Sequence, residues 1–115
     1  MSATSPGDGQ QYPDVDRLIH EPARYNIMAL LYVVERAEFL FVQNQTKLTP
    51  GNLSSHLAKL EGAGYLRIQK KFVGKKPTTF LSLLKRGRVA FEDYRAKMKE
   101  VFTTDPGVGR GTGED

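Results

Sequence analysis

The sequence predicts a small, mostly helical α+β domain, and three observations carry that prediction. Apolar residues recur at helical spacing from Pro22 to Gly64, the period then drops to two between Leu66 and Leu83, and helical spacing resumes near Arg86. At 115 residues the chain suits one domain with tails, with residues 14–102 forming the domain. The tails, 1–13 and 103–115, are rich in Ser, Pro, Gly and Gln or in Gly alone, too polar to bury anything, and are expected to be disordered.

The elements follow in order. Val15, Leu18 and Ile19 suggest a short first helix. Pro22, suited to a first helical turn, opens a second, with Ile27, Leu30, Leu31 and Val34 as its buried face. A third runs from about Glu38 to Gln45, burying Phe39, Leu40 and Val42, and "QTKL" makes a turn. Thr49 is a good N-cap, Pro50 a good first residue and Gly64 a good stop for a fourth helix. Leu66, Ile68 and Phe72 alternate with Arg67, Gln69 and Lys71, and Leu81 and Leu83 flank Ser82. The intervening "VGKKP" joins these strands into a hairpin with a basic tip, and a last helix runs from about Arg86 to Phe102.

Charge is distributed unevenly. The chain carries +4, but Arg67, Lys70, Lys71, Lys75, Lys76, Lys85, Arg86 and Arg88 give residues 66–88 a charge of +8 without an acidic residue, leaving −4 elsewhere. A one-sided basic block suits a polyanionic partner, nucleic acid before membrane, although a lysine-rich hairpin can also be merely solvated. The absence of cysteine excludes disulfides and thiolate zinc sites and fits a cytoplasmic protein. No apolar run approaches the roughly 20 residues of a membrane span, and the N-terminus lacks signal-peptide features, so no membrane partner is expected.

The fourth helix has two contrasting faces. With residues roughly 100° apart, Leu53, Leu57 and Leu60 fall in one narrow sector. Gly51, Asn52, Ser55, Lys59 and Gly62 lie opposite, with Ser54 and His56 on the flanks. A solubilising face would carry more Glu and Lys. Small polar side chains instead suit close approach and hydrogen bonding, as a DNA major groove demands, and the helix start from Thr49 can receive a phosphate. His56 could reach a phosphate or a base, or could fill the rim of the core.

Other chemistry finds little support. The C-terminal glycines lack dinucleotide-fingerprint spacing, and "GKKPTT" has Gln69 where a phosphate loop needs its first glycine. No Asp/Glu cluster accompanies His20 or His56 to make a metal site, and Ser54, Ser55 and His56 lie on different faces of the helix rather than in a catalytic pair. Neither a cofactor nor an enzymatic activity is expected.

The motifs together resemble the short, single-domain winged helix-turn-helix transcription regulators related to the ArsR and MarR families. "EPARYNIMALL" is similar to the family's opening of the second helix, and "LTPGNLSSHLAKLEGAGYL" to its turn and recognition helix. "FVGKKPTTFLSL" followed by "GRVAFEDY" is similar to its wing and last helix. The resemblance covers roughly residues 14–102. It implies a recognition helix over 50–63 in the major groove of double-stranded DNA and a wing tip on the neighbouring backbone or minor groove. DNA-contacting roles are thereby implied for Gly51, Asn52, Ser54, Ser55, His56, Lys59, Lys75 and Lys76, with Thr49 at the helix start and Lys70 on the wing beside them. Two departures stand out: Lys47 replaces the usual turn glycine, and Leu84 replaces the usual threonine cap of the last helix. The alternative function is a winged-helix module that binds RNA or a protein.

A homodimer is expected through the last helix. Phe91, Tyr94, Met98 and Val101 form a stripe at spacings of three, four and three, widened by Phe102, and Val15, Leu18 and Ile19 offer a neighbouring strip. Two copies could then read a palindrome, which suits DNA better than one helix reading few bases. The operator, the target genes, the sign of regulation and any small-molecule effector are not written in the sequence.

Overall fold

The computed structural model describes residues 15–104, with side chains to 102, so the expected tails lie outside the described residues except for Thr103 and Thr104, which are helical. The order is α1 (Pro22–Val34), β1 (Arg36–Glu38), α2 (Phe39–Thr46), α3 (Pro50–Gly62), β2 (Leu66–Val73), β3 (Lys76–Leu83) and α4 (Lys85–Thr104). Two compact units are distinguished among the described residues, 16–92 and a second that holds Val15 and residues 93–104.

Within 16–92 the core gathers Ile19, Ile27, Met28, Leu31, Val42, Leu53, Leu57, Leu60, Leu66, Leu81 and Phe91, each at most 2% exposed. Phe91 lies 5.5 Å from the Tyr25 ring and 5.2 Å from the Tyr32 ring, between centroids, in tilted geometry. Ile19 and Phe91, expected at a seam between copies, are thus already buried inside one chain. On α1, Met28 takes the buried place expected for Leu30, and Val34 is 39% exposed.

Three expectations are corrected by local chemistry. The short first helix is a turn: the Asp16 carboxylate accepts from Leu18 N–H at 2.8 Å and Ile19 N–H at 3.2 Å, an alternative that competes with helical bonding. Glu21 then caps α1 by accepting the Arg24 N–H at 2.8 Å. Arg36–Glu38 form a third strand rather than a lead into helix, pairing antiparallel with β3 (Arg36 with Ser82, Ala37 with Leu81, Glu38 with Phe80). The sheet order is β1-β3-β2. Consequently α2 starts at Phe39, where Leu40 points outward at 57% exposure and only Val42 is fully buried.

The hairpin is longer and tighter than the sequence suggested. β2 and β3 pair from Leu66–Leu83 to Val73–Lys76, leaving Gly74 and Lys75 as a two-residue turn. Gly74 has φ +65° and Lys75 is not in the left-handed region, as a type II′ turn requires. Pro77 is tolerated because β1 reaches only Phe80–Ser82, leaving β3 one-sided there.

The departures in sequence have structural answers. Lys47 adopts φ 62°, ψ 20° at the end of α2, its N–H bonded to the Gln43 carbonyl at 2.8 Å. The turn keeps its left-handed geometry without glycine, at a cost of about 1–2 kcal/mol. At Leu84 the backbone N–H donates to the Tyr65 carbonyl at 2.9 Å, and Arg88 N–H closes the first turn of α4 on the Leu84 carbonyl at 3.0 Å. Gly87 makes this approach possible: a Cβ there would sit 2.1 Å from the Tyr65 carbonyl oxygen.

In the second unit, Tyr94 is buried, Met98 and Val101 are half-buried and Phe102 is 56% exposed. Lys97 Nζ pairs with Asp93 across one turn at 3.2 Å. Val15 is half-buried in this unit, and Leu18 is half-buried in the first.

Candidate nucleic-acid interface

Helix α3 is held from one side only. Leu53, Leu57 and Leu60 are at most 1% exposed, whereas Gly51, Asn52, Ser54, Ser55 and Lys59 are all exposed. Thr49 Oγ1 accepts the Asn52 N–H at 3.2 Å and starts the helix, with Pro50 first in it. The apolar face therefore fixes the orientation of the polar one.

His56 is half-buried, and its Nδ1 lies 3.1 Å from Arg24 Nη1. A guanidinium only donates, so in this contact Nδ1 is the acceptor. Arg24 also donates from Nε to the Leu18 carbonyl at 2.7 Å, so one side chain ties the N-terminal turn, α1 and α3 together. The neighbouring Glu21 carboxyl is held below the usual carboxylate range, chiefly by the Arg24 N–H it accepts. Of the two readings open for His56, the rim of the core is occupied in this structure.

Two further contacts set the angle between α3 and the wing, and the sequence reading assigned neither. Glu61 Oε2 accepts the Ile68 N–H at 2.9 Å, which caps part of the free edge of β2. The Tyr65 hydroxyl donates to Asp16 Oδ2, anchoring the α3–β2 turn to the N-terminal turn. The Tyr65 hydroxyl pKa is pushed up to about 12, first by burial and then by the hydrogen bond to Asp16. Glu61 lies one residue before the helix end, a place usually read as solvated, so only the folded edge strand reveals its partner.

The wing brings Lys70 and Lys76 to the rim of a cleft of about 470 Å³ that Ser54 and Leu57 of α3 and Leu40 of α2 also line. Of the candidate residues, Ser54 of α3 and Lys70 and Lys76 of the wing therefore face one space. Lys75 sits in the turn at the tip and, like Lys70 and Lys76, is exposed. The basic block is not uniform, however. Arg88 pairs with Glu35 at 3.3 Å and stacks 4.8 Å over the Tyr32 ring, and Lys71 Nζ lies 5.7 Å over the Phe80 ring. Apart from Arg88, the members of the block, Arg67, Lys70, Lys71, Lys75, Lys76, Lys85 and Arg86, are exposed.

A family model for the winged helix DNA-binding domain matches residues 23–102. The chain belongs to this family. The match spans the whole path from α1 through the wing to the end of α4's described side chains. An uncharacterized protein of Methanocaldococcus jannaschii is 36% identical over 78 residues, covering 68% of this chain and 85% of that protein. The structure of a transcriptional regulator homologue from Pyrococcus horikoshii OT3 is similar with a TM-score of 0.71 and 29% identity, over 75% of this chain and 85% of that one. The fold alone is also shared with NadR in complex with 4-hydroxyphenylacetate (TM-score 0.62, 21% identity, 76% of this chain and 64% of that one). The winged helix architecture expected from the sequence is thereby established, with β1 as an addition to the hairpin. No metal-binding group of three or more His, Cys, Asp or Glu occurs among the described residues. No helix among them is long and apolar enough to cross a membrane.

Proposed function

We propose that this winged helix protein is a transcriptional regulator that binds double-stranded DNA in a sequence-specific manner. The observation that carries the reading is that α3 exposes Gly51, Asn52, Ser55 and Lys59 on one face while Ser54, at the edge of that face, shares a cleft with Lys70 and Lys76 of the wing. A helix and a basic ribbon so arranged can engage a major groove and the adjoining phosphates together. Asn52, Ser54 and Ser55 read base edges, Gly51 leaves room for the backbone to approach, Lys59 reaches base or phosphate, and the helix start at Thr49 receives a phosphate. Lys70, Lys75 and Lys76 neutralise backbone. His56, locked by Arg24, contributes by orienting α3 rather than by ranging over bases. The transcriptional regulator homologue from Pyrococcus horikoshii OT3 supports the regulatory half of this reading.

The working form is a two-fold dimer through α4, with Met98, Val101 and Phe102 as the seam and Tyr94 bracing it from the buried side. Selection of bound sequences from a random duplex pool tests both halves of the proposal. The expected result is a palindrome with half-sites about one helical turn apart (about 34–36 Å). A pool that yields no enriched sequence would remove sequence reading. A single unrepeated half-site, bound by a protein that sediments as a monomer, would remove the dimer.

A further inference from the structure

The wing tip carries an aromatic side chain that the domain does not use. Phe72 is 70% exposed and its neighbour Val73 is 54% exposed, although both lie within the paired ladder of the hairpin. Phe72 shares a sheet face with Leu66, Ile68 and Lys70, since alternate residues point the same way, and its cross-strand partner on that face is Pro77. Leu66 is buried and Ile68 half-buried, but four residues further on, roughly 13 Å along the strand, the core is left behind. The apolar strip therefore continues past the protein that would cover it. Val73 makes the opposite face of the tip apolar as well.

Charge identifies the occupant. The exposed Lys70 and Lys71 precede the two apolar residues in β2, and the exposed Lys75 and Lys76 follow them through the turn. Lys71 Nζ lies 5.7 Å from the Phe80 ring, and residues 66–88 contain no acid. The matching surface must place apolar material between rows of anions. A DNA minor groove does so, with sugar walls and base edges between two lines of phosphates. The two-residue turn keeps the tip narrow, as entry into a groove about 6 Å wide requires.

We propose that Phe72 is a minor-groove wedge, pressing its ring against sugars and a base step while the four lysines hold the flanking phosphates. The proposal rests on the DNA-binding reading above and adds a deformation of the duplex to it. Pyrimidine–purine steps, which unstack most readily, are the favoured point of entry, so the wing contributes A·T-rich preference through deformability rather than through hydrogen bonds.

The test uses the full chain and a duplex of alternating A·T pairs carrying 2-aminopurine, whose fluorescence rises on unstacking, titrated at several salt concentrations. Wild-type protein is expected to bind and to brighten the probe. Phe72→Ala should bind about tenfold more weakly with little brightening, and Phe72→Leu should retain most of both. The salt slope should be the same for all three, because no phosphate contact is removed. Equal affinity and brightening for Phe72→Ala and wild type would overturn the wedge while leaving DNA binding intact. A slope that falls with Phe72→Ala would also overturn it, by showing that the ring merely positions lysines. Loss of binding to phosphatidylcholine–phosphatidylserine vesicles, with duplex binding unchanged, would reassign the tip to an anionic lipid surface. Failure of the wild type to bind any duplex at low salt would instead remove the DNA-binding reading, and the wedge with it.

Discussion

Helix α3 and the wing tip both carry exposed candidate residues, but they are built on opposite principles. Helix α3 rests on three fully buried leucines and is tied at both ends, by Thr49 at its start and by Glu61 to β2 near its finish. Beyond Ile68 the wing has no core beneath it, and from Phe72 to Pro77 every residue is exposed. Its shape depends on the β2–β3 ladder and the Gly74 turn. A reader of base edges needs the first design, because hydrogen-bond geometry tolerates little displacement. A segment that follows phosphates and deforms a groove tolerates the second, because charge attraction depends weakly on position.

If that contrast is right, α3 has one face whose loss costs stability and another whose loss costs only binding. Leu57→Ala should lower the unfolding free energy by about 2–5 kcal/mol, measured by denaturant titration; wild-type stability would mean that α3 is not seated on its leucines. On the outward face, Asn52→Ala or Ser55→Ala should weaken the preferred duplex by about 1–3 kcal/mol with an unchanged melting temperature. Equal losses on preferred and random duplexes would dismiss base reading and reduce α3 to a charged rod.

The wing should show no stability face at its tip. Lys75→Ala combined with Lys76→Ala should leave thermal unfolding unchanged while flattening the dependence of log affinity on log salt by about two units. An unaltered slope would exclude these lysines from phosphate contact. The smallest effect concerns the joint between the two regions. The Tyr65 hydroxyl pKa is raised to about 12 in the folded chain, above its ordinary value near 10. Its contribution to stability is therefore complete below pH about 10 and is lost as the pH rises toward 12. The partly exposed site screens the effect, so only a modest difference is expected. Melting curves should show wild type losing slightly more stability than Tyr65→Phe across that interval; parallel curves would mean that Asp16 and Tyr65 do not couple.

The leucine stripe of α3 was legible because helical periodicity is a local property, written at every third or fourth residue. Thr49, Pro50 and Gly64 marked their boundaries for the same reason: caps and turns depend on neighbours in sequence. The glycine missing at Lys47 was also visible, and its left-handed backbone follows from the turn that the sequence prescribes.

Other features were decided by partners far along the chain. Arg36–Glu38 carry no strand periodicity in three residues and become β1 only because β3 offers Phe80–Ser82 for pairing. Arg24 reaches His56 across 32 positions, and Asp16 reaches Tyr65 across 49, distances over which no local pattern can report a hydrogen bond. Gly87 shows its purpose only once the Tyr65 carbonyl lies where a Cβ would have been. The apolar residues of the expected seam divide in the same way: periodicity identifies a stripe, but whether Phe91 is buried by its own domain or by a second copy depends on which surfaces meet. Sequence by itself determined the local elements and the chemistry each one displays. Tertiary structure alone decided which of those displays are covered and which, like the α3 face and Phe72, remain open, because burial is a property of the packed chain and not of any segment.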